Sequence, residues 1–181
     1  MSKRKTRNTE DVLKILCDSV QNTLAMATAS EIRYSPVVRR INKTCMQPDI
    51  GCFVLFSGGF SGLVVMNFSQ EAAMEIYRSY MLSMGMPEDE LSTNYTSSDV
   101  SDALGELMNQ SMGQFGVALK NDCKLTVKQN QPKMLIINQA LLISINAQID
   151  RAQYRKVSFE TANYRPFYLE ACMEKVDIIP F

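Results

Sequence analysis

Apolar residues recur at helical spacing through Val12, Leu13, Leu16, Val20 and Leu24, which places one core-facing stripe on a helix. Asn8 or Thr9 precedes the stripe as a capping residue, and Glu10 and Asp11 occupy the first turn, where the positive end of the helix dipole favours acids. The pattern predicts a helix running to about Ala29. Glu31 to Arg40 then alternates loosely around Ser35-Pro36. Ile50 to Phe56 and Gly62 to Phe68 are β-rich runs joined by Ser57-Gly58-Gly59-Phe60-Ser61, a hairpin signal. These glycines lead into no Gly-Lys-Ser/Thr ending and are followed by strand pattern, so a phosphate-cradling loop is the poorer reading. Ser69 caps a second helix carrying Ala72, Ala73, Ile76, Tyr80 and Leu82, which ends near Gly85 and Pro87. The acids Glu88, Asp89 and Glu90 read as a solvated loop or short helical turn rather than a cation site.

A third helical pattern extends from Asp99 to about Leu119. Strand patterns follow at Leu125 to Gln129, Met134 to Asn138, Leu141 to Asn146, Arg155 to Thr161 and Phe167 to Met173, which predicts a helix followed by an antiparallel meander. No low-complexity linker divides the chain. The expected fold class is α+β: one two-layer domain over residues 9–181, an antiparallel sheet with long helices packed on it, preceded by a flexible basic tail at residues 1–8.

Composition narrows the chemistry. With 181 residues, 46% apolar and 21% charged, the chain is long enough for one self-supporting core. Nineteen basic residues balance nineteen acidic ones, so the positive field that drives nonspecific nucleic-acid binding is missing. The cluster Lys3, Arg4, Lys5 and Arg7 reads as a solvated tail. No run reaches the ~18 apolar residues of a membrane span and no signal-peptide pattern is seen, so no membrane partner is expected and the expected location is the cytoplasm. The five cysteines, Cys17, Cys45, Cys52, Cys123 and Cys172, are scattered without a CxxC pair and read as buried free thiols. There is no histidine. That removes the usual base of Ser and Cys hydrolases and the commonest zinc ligand, and leaves carboxylates and amides as the available chemistry. Twelve methionines read mostly as core filling; Met108 and Met112 fall between the apolar stripe of the third helix and its opposite face.

On a wheel at about 100° per residue, Val100, Leu104, Leu107, Ser111, Phe115 and Ala118 share one side of the third helix. Asp102, Glu106, Asn109 and Gly113 point about 160 to 180° away. An outer polar face needs no function, but Asn and Gly are poor helix-interior residues, and close approach of another surface accounts for both.

Asp102-x3-Glu106-x2-Asn109, followed after twenty-two intervening residues by Pro132, resembles the signature of the CheC/CheX family of chemotaxis phosphatases. The Cys52 to Phe68 hairpin, the Asn67-Phe68-Ser69 step and the Glu71-Ala72-Ala73 helix are similar to the segment that precedes the motif in CheX-like proteins. CheC-type members carry a second motif on their first helix, where this chain has Ser19-x2-Asn22, with Ser in place of Glu and Cys45 in place of Pro. One site is therefore expected, as in the CheX-like branch.

The resemblance implies a phosphatase that hydrolyses the aspartyl phosphate of a CheY-like response regulator. Asn109 would orient the attacking water, and Glu106 would pair with the regulator's lysine. Asp102 and Gly113 would belong to the partner-binding face, and Pro132 would be structural. It implies no cofactor or metal on this chain, Mg²⁺ on the phosphorylated regulator, and a homodimer. A non-catalytic CheC-like adaptor that binds a regulator or another signalling protein is the alternative.

Overall fold

A capping box starts the first helix of the computed structural model, which describes residues 7–143 and 151–178. Three helices, α1 (Thr9–Thr28), α2 (Gln70–Ser83) and α3 (Ser98–Cys123), lie among the described strands. β1 (Arg7–Asn8), β2 (Ile32–Tyr34), β3 (Arg39–Arg40) and β4 (Thr44–Met46) precede the hairpin of β5 (Ile50–Gly58) and β6 (Gly62–Phe68). After α3 come β7 (Val127–Gln129), β8 (Lys133–Ile136) and β9 (Leu141–Ile143), then β10 (Gln153–Thr161), β11 (Pro166–Met173) and β12 (Asp177–Ile178).

Each helix start follows from its capping residue. Asn8 Oδ1 accepts from the backbone N–H of Glu10 (2.9 Å) and Asp11 (3.1 Å), while Asp11 Oδ2 accepts from the N–H of Asn8. Ser69 and Ser97 accept from the N–H groups of Ala72 and Val100. Ala29 closes α1 in the left-handed conformation, and Lys124 does the same for α3, which runs four residues past the expected end at Leu119. Residues 1–6 of the expected tail lie outside the described residues. Its last two, Arg7 and Asn8, pair with Ile178 and Asp177.

The main sheet has eight antiparallel strands in the order β2-β10-β11-β6-β5-β7, with β3 also on β10 and β8 also on β5. The three helices cover one face. Against them lie Ile50, Cys52, Val54 and Phe56 of β5, Val64, Met66 and Phe68 of β6, and Phe167 and Leu169 of β11. The opposite face holds a smaller cluster of Met46, Leu63, Val65, Ile137 and Cys172, covered by the β4–β9 ribbon. This is why β6 is apolar at successive positions: every residue of it is buried, on one face or the other. The ribbon is tied down by buried polar groups. Glu170 accepts from the N–H of Cys45 at 2.7 Å and from Lys156 Nζ at 3.0 Å, and the Asn67 carboxamide bonds the backbone of Cys45 and Gln47.

The expected α+β fold with helices on an antiparallel sheet is the one observed. The meander is not. β7 and β8 both pair with β5, β9 pairs with β4, and of the described strands from β7 to β11 only β10 and β11 are neighbours in both sequence and sheet. Alternation of apolar residues states which face of a strand is buried, but not which strand lies beside it. Residues 144–146 of the expected Leu141 to Asn146 strand lie outside the described residues.

None of the five cysteines is in a disulfide, and Cys17, Cys52, Cys123 and Cys172 are buried. Burial pushes the thiol of Cys17 up to about 12, with the charge of Asp18 adding to it, and burial alone pushes Cys52 up to about 12. Thiolate, the reactive form, is thus scarce at both. Iodoacetamide at pH 8 should leave Cys17 and Cys52 unmodified in the folded protein while the denatured chain reacts fully. Peptide mass spectrometry reads the result, and rapid alkylation of either thiol in the folded protein would contradict this packing.

Candidate functional site

α3 is buried along a wider arc than the wheel implies. Val100, Leu104, Leu107 and Phe115 are essentially inaccessible, as expected, and Phe115 meets Phe56 edge-on with ring centroids 5.9 Å apart. Ser111 is tolerated within this stripe because its Oγ donates to the carbonyl of Leu107 at 2.8 Å. Met108 and Met112, expected at the border of the stripe, are 1% exposed. The reason is a second neighbour: Met108 and Met112 share a row of α3 with Gly105 and Gly116, which lie beside Met134 of β8 and Val127 of β7, so the edge strands cover that flank while α1 packs along another. At the C-terminal end, Ala118 is only half-buried and Leu119 takes the core position.

What remains outside is the face carrying Asp102, Glu106, Asn109 and Gly113, all exposed. Glu106 and Asn109 lie about one turn apart, each held by a glutamine. Gln110 Nε2 donates to Glu106 Oε1 at 2.8 Å. Gln129 Nε2, from β7, donates to Asn109 Oδ1 at 3.2 Å and to the Asn109 carbonyl at 3.3 Å. A carboxylate has about four acceptor positions, so the Gln110 bond leaves Glu106 able to take an incoming cation. Among the described residues, no group of three or more acidic or cysteine side chains could hold a metal ion.

The face borders a groove of about 1120 Å³ between α1 and α3, where Asn109, Gly113 and Ala118 oppose Asp18, Asn22 and Met26. Its α1 wall is the stretch that lacks the second motif. Ser19 there is 7% exposed and donates its hydroxyl to the carbonyl of Ile15 at 2.7 Å, so it presents no group to a partner. Pro132 is half-buried in the step between β7 and β8. Just before it, Asn130 Oδ1 accepts from the N–H of Leu55 at 2.9 Å, replacing a sheet bond where the edge changes strand. Neither the groove nor Gln129 is visible in the spacing of the motif. Gln129 is 20 residues from Asn109, and only the pairing of β7 with β5 brings it there.

A family model described as a protein of unknown function, DUF3334, matches residues 3–181. The chain belongs to the DUF3334 family. No curated protein gives a significant match. Among solved structures, this DUF3334 chain is similar to the chemotaxis protein CheX from Desulfovibrio desulfuricans, at 20% identity and a TM-score of 0.73, covering 91% of this chain and 99% of that one. CheX from Vibrio vulnificus gives 16% identity and a TM-score of 0.73 over 91% and 99% of the two chains. A chain of the CheX–CheY–BeF₃–Mg²⁺ complex from Borrelia burgdorferi gives 13% identity and 0.64 over 91% and 98%. The DUF3334 chain thus has the CheX fold over nearly its whole length, and the resemblance read from the motif holds at the level of fold.

Gly113 has no internal packing reason to lack a side chain, since a Cβ placed there meets nothing within 4 Å. Gly113→Ala should therefore stabilise the helix by up to about 1 kcal/mol, raising the melting temperature by roughly 2–4 °C. Thermal denaturation followed by circular dichroism tests this. A lower melting temperature would mean that Gly113 serves the fold rather than an outer surface.

Proposed function

We propose that this DUF3334 protein hydrolyses the aspartyl phosphate of a CheY-like response regulator. The observation that carries the reading is the outward placement of Glu106 and Asn109 on one face of α3, in a protein with the CheX fold. The similarity to a chain from a complex of CheX with CheY, Mg²⁺ and beryllium fluoride, a mimic of the phosphoryl group, supports the choice of partner.

An acyl phosphate is already activated, and the regulator would bring Mg²⁺ and its own phosphoryl-binding groups. The phosphatase then has to place one water in line with phosphorus. The Asn109 carboxamide both accepts and donates, so it holds that water without being deprotonated. The water oxygen bonds to phosphorus as the bond to the aspartyl oxygen breaks, releasing inorganic phosphate and restoring the aspartate. Glu106 pairs with the regulator's lysine and sets the docking angle. Asp102 and Gly113 extend the contact surface, and Pro132 has a structural role at the β7–β8 step.

In this reading the protein works in the cytoplasm, where response regulators act, and no described helix is long and apolar enough to cross a membrane. A homodimer joined along a sheet edge belongs to the same reading. The β8 edge, with Leu135 and Ile136 exposed, supports it.

The test mixes the purified protein with phosphorylated regulators and follows loss of the acyl phosphate. Wild type should accelerate the decay, Asn109→Ala should remove about 10²-fold of that acceleration while retaining affinity, and Glu106→Ala should weaken binding. Binding without any acceleration would make the protein an adaptor on a phosphatase fold.

A further inference from the structure

We infer that Gln129 is a positioning residue for Asn109, holding its carboxamide oxygen so that the amide group faces the partner in one orientation. This rests on the phosphatase reading above.

The placement follows from strand register. β7 pairs with β5 so that Phe56 opposes Gln129, Ser57 opposes Lys128 and Gly58 opposes Val127. Residues directly opposite in an antiparallel pair share a face of the sheet. Phe56 is buried beneath α3 against Phe115, so Gln129 and Val127 also face the helix and Lys128 faces away. Val127 bears this out: its Cγ2 lies 3.9 Å from where a Cβ on Gly116 of α3 would sit. A slip of one residue would turn Gln129 to solvent and bring Lys128 towards Asn109.

Gly58 holds the register. Its φ of +138° is strained for any residue with a side chain, and a Cβ there would lie 2.5 Å from the carbonyl oxygen of Thr126. Glycine at this position lets the chain entering β7 approach β5 closely enough to carry Gln129 under the exposed face.

An exposed Asn on a helix has a broad, two-fold terminal torsion and presents either its oxygen or its NH₂. Gln129 removes that freedom. Its Nε2 is a donor and occupies one acceptor position of Asn109 Oδ1, and a fork of the same donor to the Asn109 carbonyl ties it to the helix backbone. Oδ1 keeps its second acceptor position, and Nδ2 is fixed on the other side of the amide plane. A water can then donate to the oxygen and accept from the amide without the side chain having to reorient. One solvent-accessible hydrogen bond shifts such an orientation by a modest factor, so loss of the Gln129 donor should slow turnover about 3- to 10-fold, well short of deleting Asn109.

The experiment compares Gln129→Met, which keeps length without a donor, and Gln129→Glu, which keeps an acceptor only, with wild type, each checked by thermal denaturation. Three measurements are made: single-turnover dephosphorylation of a regulator, affinity for the same regulator loaded with Mg²⁺ and beryllium fluoride, and the order of the Asn109 side-chain NH₂ by nitrogen-15 NMR on the free protein. Gln129→Met should lose about 3- to 10-fold in turnover at unchanged affinity with a more mobile Asn109 NH₂, whereas Gln129→Glu, whose carboxylate accepts from Nδ2 and holds the amide turned over, should lose turnover with the NH₂ still ordered. In an Asn109→Ala background Gln129→Met should have no further effect on turnover. Wild-type turnover in Gln129→Met, an equal loss in the Asn109→Ala background, or unchanged order at Asn109 in Gln129→Met overturns the positioning role. If wild type accelerates the decay of no regulator, the phosphatase reading fails and the catalytic part of this inference with it, whatever the NMR measurement on the free protein shows.

Discussion

Burial of α3 is the interaction on which the rest of the molecule depends. Val100, Leu104, Leu107, Met108, Met112 and Phe115 are all at most 1% exposed, and full burial of a large apolar side chain is worth about 1.5–3 kcal/mol. Against that, a mid-helix Asn or Gly costs at most about 1 kcal/mol relative to Ala. Core packing therefore dominates helix propensity by a wide margin. That surplus lets the outer face carry Asn109 and Gly113, residues poorly suited to a helix, without loss of the helix, and it leaves the face no rotational freedom about the helix axis.

A rigid helix alone does not orient a side chain on its outside. That task falls to the sheet edge and to α1, which approach the exposed face from two directions. The β5–β7 pairing brings Gln129 up to Asn109, and the groove against α1 gives the same residue a recessed border. The far face of the sheet contributes indirectly. Lys156 pairs with Glu170, and Glu170 and Asn67 bond the backbone at β4, so the central strands are covered on both sides and hold the edge strands in a defined place. Buried polar groups of this kind cost stability if any partner is missing, and here each is matched.

The contrast between buried Ser19 and exposed Glu106 shows how the two helices differ in what they offer. Ser19 turns its hydroxyl back onto the carbonyl of Ile15, as short side chains on helices do. Glu106 is long enough to extend from its own turn, with Gln110 as its only described side-chain partner. The asymmetry between α1 and α3 is therefore one of reach as well as of charge.

Much of this was open to inspection before any coordinates. The three helices and the starting caps of the first two, the β5–β6 hairpin and the outward direction of Asp102, Glu106, Asn109 and Gly113 all come from local patterns, in which neighbouring residues settle the outcome; the Ser97 cap of α3 came from the structure. The burial of Met108 and Met112 did not come from such patterns, because the wheel has no knowledge of the edge strands β7 and β8 that lie against that flank. The pairing of β7 and β8 with β5 did not, because apolar alternation names a face and is silent about a neighbour. Gln129 belongs to the same class: its contact with Asn109 spans 20 residues and depends on a register that Gly58 makes possible. Residues close along the chain carry the motif; the carboxamide that orients it arrives through strand pairing, which is set by the collective packing of the whole domain.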